Sequence, residues 1–265
     1  MSARLLAWPV LALVVLAAVA GPWWWRYGHA DITAAVLAPP SAAHPLGTGP
    51  LGHDLLSQVV AGTGRSLSIA AVVAVLSTAA GTVAGLIAGY AGGWADAFVM
   101  RTIDLLTTIP LVAVLGLLAV RLGGGTSGWL VVALAVSAFF WAPIARVIRG
   151  VTLSLRASDF VASARLVGAS TPRVLTRHLL PHLVPHIGVA ATGYVAAAVA
   201  LESALSFLGL GVQPPDTSLG QLVGQGAPYV STAPWLFYAP SLTIVIIVGA
   251  VHVAGDGLTV TDQRR

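Results

Sequence analysis

The sequence predicts an all-α, polytopic membrane protein, and three observations carry that prediction. About 57% of the 265 residues are hydrophobic, only 8% are charged, and the mean hydropathy is +0.90; soluble domains are near a quarter charged. Long apolar runs recur along the chain, most of them near the roughly 20 residues that cross a bilayer core of about 30 Å. The period-two alternation of a barrel wall is absent, and helices satisfy their own backbone groups inside lipid. The 13 basic residues are all arginine and the acids number 9. A pI of 10.1 from so few charges lacks the dense basic stripe of a nucleic-acid binder. With no cysteine, disulfides, thiolate metal sites and cysteine nucleophiles are excluded.

Six transmembrane helices are expected. The first runs from Leu5 to Trp25 and the second from Ser66 to Tyr90. The third, Leu105 to Val120, is short and contains Pro110; the fourth is Trp129 to Ile148. Pro185 to Leu208 and Leu236 to Val253 complete the set. The chain then divides into an N-terminal membrane anchor at 1–25, an extracytoplasmic loop at 26–65 rich in proline, a permeating core at 66–258 and a cytoplasmic tail at 259–265. Within the core, a cytoplasmic loop is expected at 149–184.

Arginine placement orients these spans. With the N-terminus inside, Arg4, Arg101, Arg146, Arg149, Arg156, Arg165, Arg173, Arg177, Arg264 and Arg265 fall on the cytoplasmic side. Only Arg26, Arg65 and Arg121 fall outside, which satisfies the positive-inside rule. Trp23, Trp24, Trp25, Trp129 and Trp235 mark expected outer ends, where amphipathic rings favour the headgroup zone. Arg4 followed by an apolar run and Ala18-Val19-Ala20 also fits a cleavable signal. The run continues to three tryptophans at full membrane thickness, so an uncleaved anchor is expected.

The cytoplasmic stretch reads as two short helices meeting at a corner. Ser158 can cap the first, with Asp159 in its first turn at the positive dipole end. Phe160, Ala164 and Val167 share one face by spacing. Gly168 is placed to end the helix in a left-handed conformation. Thr171-Pro172 starts the second piece, and Pro181 is expected to break it before the fifth span. Such a compact knuckle suits contact with another protein; the alternative is an ordinary arginine loop facing anionic lipid.

The run from Asp159 to Gly168, with Ala169 following and His178-Leu179-Leu180-Pro181 closing it, resembles the EAA loop of bacterial ABC importer permeases. Gly168, Leu180 and Pro181 keep that loop's register, whereas Ala162 and Ser163 replace its Glu and following Ala. Leu46-Gly47-Thr48, Leu51-Gly52, Asp54, Leu56-Ser57 and Gly62 are similar to the outer segment of C-type dipeptide, oligopeptide and nickel permeases, with His53 in place of an arginine. The run from Ser206 to Pro215 and the tail Gly255-Asp256-Gly257-Leu258 resemble the same group. The resemblance implies a permease subunit that moves peptides, dipeptides foremost, or similar solutes inward. It also implies a second homologous permease, separate ATP-binding-cassette ATPases that hold ATP and Mg, and an extracytoplasmic binding protein. The coupling residues it implies are Asp159, Phe160, Ala164, Arg165, Gly168, Ala169, Arg173, Arg177, His178, Leu180 and Pro181, with the arginines as donors to the ATPase.

Other features bound the chemistry. A phosphate-binding loop needs a lysine and the chain has none, so ATP hydrolysis belongs elsewhere and the chain is not expected to be an enzyme. Gly47 to Gly52 matches GxGxxG but follows no strand and contains Pro50, so no dinucleotide site is expected. Gly81, Gly85 and Gly89 form a small-residue face for helix packing. Glu202 is the only acid well inside a span and so is the candidate pathway residue. Its alternative role is a buried acid held by helix-end hydrogen bonds near the Ser206–Gly211 stretch. His178, His182 and His186 recur every four residues, but prolines intervene and no HExxH glutamate accompanies them, so no metal or cofactor is expected. The rival function is an ion-gradient-driven secondary transporter, which places ionisable groups or broken helices at the midplane.

Overall fold

The computed structural model describes residues 2–33, 35–122, 128–213 and 216–262. Among them the backbone is helical with no strand, beginning with α1 (Ser2–Trp24). The segment after α1 folds into a cap held by backbone bonds, Thr33 N–H to Gly52 O at 2.9 Å and Thr48 N–H to Ala38 O at 3.0 Å. Gly47 and Gly52 turn it at φ +79° and +80°, the left-handed region that favours glycine.

The cap ends at Asp54, not Arg65, because Asp54 starts α2 (Leu55–Ala91). Its backbone is extended and its carboxylate accepts the Ser57 N–H at 2.9 Å, which satisfies one of the orphan donors of a helix start. The same carboxylate accepts Trp25 Nε1–H at 2.9 Å and faces His44 Nδ1 at 2.8 Å. One buried acid therefore joins the end of α1, the cap and the start of α2.

The expected third span is replaced by α3 (Gly93–Thr108) and α4 (Leu111–Leu122), bent 75° apart. Pro110 at the break forces Ile109 extended, with φ −85° and ψ 125°. On α3, Asp96 pairs with Arg149, and Asp104 with Arg146 at 2.6 Å. Both arginines belong to α5 (Gly128–Arg156), which extends beyond the expected end at Ile148. After α6 (Asp159–Leu166) and α7 (Thr171–Arg173), a π-helical turn at Val174–Leu179 leads into α8 (Leu180–Phe207). Pro181 therefore does not break the chain: Thr171–Phe207 is one continuous rod. Its first turns widen to the Leu180 N–H to Leu175 O pattern, which gives the proline ring room. The expected loop at 149–184 is accordingly almost wholly helical.

Finally, α9 (Leu219–Gly226) and α10 (Trp235–Asp262) complete the order. The last helix runs into the expected tail; residues 263–265, and with them Arg264 and Arg265, lie outside the described residues, as do Pro214 and Pro215. Four helices are long and apolar enough to cross a membrane among the described residues, or five if the bent pair is one span. The described apolar part of α1, Ala7–Gly21, is shorter. Among the described residues six spans are therefore not confirmed: Pro110 divides one expected span into a bent pair, and the described apolar part of α1 is shorter than a span.

The central post is α2, which lies along α5. A Cβ at Gly81 would sit 2.5 Å from the Trp141 carbonyl, one at Gly89 2.7 Å from Thr152 Cβ, and one at Gly85 2.9 Å from Ile148 Cβ. The absence of side chains there is what lets the two backbones approach. Around this pair, Ile69, Val73, Val136, Val199, Leu219 and Ile247 form the main core.

Candidate functional site

Where α5 gives way to α8, the chain builds a small knuckle. Ser158 takes the extended cap conformation, φ −77° and ψ 151°, but its hydroxyl donates back to Leu155 O. The capping position is as expected; the capping hydroxyl is not used. At the other end of α6, the Gly168 N–H donates to Arg165 O at 2.9 Å and the Ala169 N–H to Ala164 O at 3.0 Å. With Gly168 at φ +82°, these two bonds make a Schellman closure. Ser170 then caps α7 by its backbone, and the Val174 N–H reaches Ser170 O at 3.0 Å.

The knuckle has a hidden face and a bare one. Val161, Val174, Leu179 and Leu183 are fully buried against Leu86 of α2 and Ile144 and Ile148 of α5. Burying a side chain of this size contributes about 1.5–3 kcal/mol, so the knuckle is fastened to both flanking helices and to α2. On the other side Leu166 is 88% exposed and Val167 84%. The face expected from spacing, Phe160 with Ala164 and Val167, is therefore corrected. The buried pair is Val161 and Ala164, because Val167 has already left the helix and Phe160 stacks on His182 at 4.9 Å.

The remaining residues divide by direction. Asp159, Arg173, Arg177 and Pro181 are exposed, and His178 and Leu180 are half-buried. Arg165 is turned back over the Tyr90 ring at 4.9 Å, which engages its cation within the chain. His182 and His186 face outward on α8 with His178 beneath them. Glu202 lies far from the knuckle near the other end of α8 and is 1% exposed. Its carboxylate accepts Ser66 Oγ–H at 2.9 Å and Ser206 Oγ–H at 2.6 Å.

A family profile described as the inner membrane component of binding-protein-dependent transport systems matches residues 81–260, which include the whole knuckle. The chain belongs to this permease family. The oligopeptide transport system permease protein OppC of Mycobacterium tuberculosis is 37% identical over 249 residues, covering 94% of this chain and 85% of the relative. A peptide transport system permease protein of Brucella suis is 37% identical over 258 residues, covering 96% and 86%. Among solved structures, a chain of the MetNI methionine ABC transporter in inward-facing form gives a TM-score of 0.61 at 21% identity. That match covers 76% of this chain and 94% of the other; it is a likeness of fold.

In this permease three features escape sequence reasoning. The ion pairs from Asp96 and Asp104 to α5 neutralise two arginines that the sequence assigns simply to the cytoplasmic side. Tyr194 of α8 receives the Ile144 N–H at 3.1 Å, one residue beyond Pro143 in α5. The apolar tip at Leu166 and Val167 is the third. For the tip a signal did exist: a left-handed Gly168 ends the helix before Val167 can join its inner face.

Proposed function

We propose that this chain is the permease subunit of an ATP-driven importer, and that its knuckle is the docking element for a separate ATP-binding-cassette ATPase. The observation that carries this reading is the knuckle's two-sidedness. Its inner face is fastened to α2, α5 and α8, while Leu166 and Val167 stand bare. A partner that moves the bare tip moves the spans, since close-packed contacts transmit displacement. ATP and Mg belong to that partner, because the chain has no lysine to build a phosphate loop.

Peptides are the proposed cargo, dipeptides foremost, and the relatives named as peptide and oligopeptide permeases support this. A second homologous permease completes the path, and an extracytoplasmic binding protein delivers the solute. The chain sits in a bacterial inner membrane with both termini cytoplasmic. In support, the knuckle end carries Arg146, Arg149, Arg156, Arg165, Arg173 and Arg177, as the positive-inside rule requires of a cytoplasmic face. The test is affinity purification from native membranes, followed by reconstitution. Co-purification of an ATPase whose turnover rises with peptide-loaded binding protein is expected. A chain that purifies without any ATPase, and transports on an ion gradient alone, overturns the reading.

A further inference from the structure

We propose that Glu202 is a positioning residue that pins the segment between α8 and α9 against α2, rather than a group that meets the solute. The argument is one of hydrogen-bond direction. A serine hydroxyl has one hydrogen and two lone pairs, and both Glu202 carboxyl oxygens stand opposite serine hydroxyls as acceptors. Ser66 and Ser206 each direct their hydrogen to Glu202, at 2.9 and 2.6 Å. Both hydroxyl oxygens are thereby turned into acceptors for backbone N–H groups. Ser206 Oγ accepts the Val212 N–H at 3.0 Å and Ser66 Oγ accepts the Leu219 N–H at 3.3 Å.

Val212 follows the Gly209 closure of α8, and Leu219 is the first residue of α9. One carboxylate thus sets the polarity of two hydroxyls that hold the two ends of the intervening segment. Backbone fit supports the pin. A Cβ at Gly211 would lie 2.7 Å from Ser206 Cα, and one at Gly62 3.1 Å from Ser218 C. Arg65, next to Ser66, pairs with Asp216 in the middle of the same segment and lies 5.0 Å over the Trp129 ring. Each carboxylate oxygen of Glu202 accepts from a serine of the protein, and at 1% exposure the residue is shut away from a passing solute.

Hydrogen–deuterium exchange on the full chain in its native assembly, in lipid nanodiscs, tests this. Glu202→Gln offers one donor and one acceptor where two acceptors stood, so exchange across 209–226 should rise at least tenfold while the knuckle peptides stay protected. Ser66→Ala should release the Leu219 end alone and Ser206→Ala the Val212 end alone; Ser206→Thr, which keeps the hydroxyl, should restore protection. Wild-type exchange at 209–226 in Glu202→Gln overturns the proposal, as does equal loss of protection at the knuckle in the serine variants. A second readout rests on the importer reading: Glu202→Gln should raise the KM for loaded binding protein severalfold with maximal ATP turnover kept. Altered preference between cationic and neutral peptides with unchanged exchange would instead make Glu202 a pathway group. The exchange readout reports local protection and not transport, whatever the assembly contains, so the two proposals fail separately.

Discussion

At Gly168 the backbone stands at φ +82°, and a side chain there would meet nothing within 4 Å. The demand is conformational, not steric, so the size of a substituent matters less than its tolerance of the left-handed region. That conformation costs an ordinary residue about 1–2 kcal/mol and a β-branched one more. Gly168→Val should therefore uncouple ATP turnover from transport by tenfold or more while helical content and span stability hold, and Gly168→Asn should keep most coupling. Normal solute-stimulated ATPase in Gly168→Val counts against a coupling role. Tyr194 is a second single-atom case. Tyr194→Phe removes only the hydroxyl that receives the Ile144 N–H, a bond of the kind that contributes about 0.5–1.5 kcal/mol net. A lower thermal midpoint is expected, with weakened coupling because the bond ties α5 to α8. An unchanged midpoint would show that the bond is idle. Gly168 was legible because its residue type matches a named backbone need; Tyr194 was not, since its partner lies 50 positions away.

The elements differ in how far local sequence determines them. The glycine face of α2 was readable from four-residue spacing, but not the neighbour it would meet. That neighbour is α5, and the atoms met at each glycine include a backbone carbonyl, of Trp141, Ala145 or Arg149, that cannot swing aside. Overpacking at such a place costs about 1–3 kcal/mol or more. Gly85→Val is expected to lower the thermal midpoint in detergent by several degrees and to reduce the yield of folded chain, whereas Gly249→Ala, with nothing within 4 Å, should behave as wild type. Equal midpoints for the two would remove close approach as the reason for the glycines. Pro110 and Pro181 show the opposite limit. Both are prolines in apolar surroundings, yet one divides α3 from α4 by 75° and the other sits inside a continuous rod. Ile109 stands extended before the first, whereas a π-helical turn at Val174–Leu179 precedes the second, and no local residue pattern announces that turn.

For the whole molecule, the two ends are held by different mixtures of contacts. The end bearing the cap is tied by polar pins, Asp54 joining Trp25 and His44 to the start of α2 and Glu202 joining α8 to α2. The knuckle end is tied by apolar packing around Ile148, Leu179 and Leu183, with the Asp96–Arg149 and Asp104–Arg146 ion pairs beside it. Asp54→Ala removes a helix cap worth about 1 kcal/mol together with the acceptor of Trp25 Nε1–H. Faster limited proteolysis between residues 26 and 54, with the knuckle still resistant, is the expected result. Cleavage at the wild-type rate would mean that the pin is redundant.

Composition and hydropathy by themselves specified a helical membrane protein, and arginine placement its expected orientation, while the family and the position of the knuckle came from the resemblance of Asp159–Pro181 and Ser206–Pro215 to permease motifs. These are one-dimensional properties: lipid rewards apolar length wherever it occurs, and a glycine that must turn left is marked by its own identity. The bend at Pro110, the face of the knuckle that is hidden, and the partners of Glu202 and Tyr194 were settled only in three dimensions. Each depends on which helix arrives beside which, and a hydroxyl or carboxylate acquires its role from the donor placed opposite it.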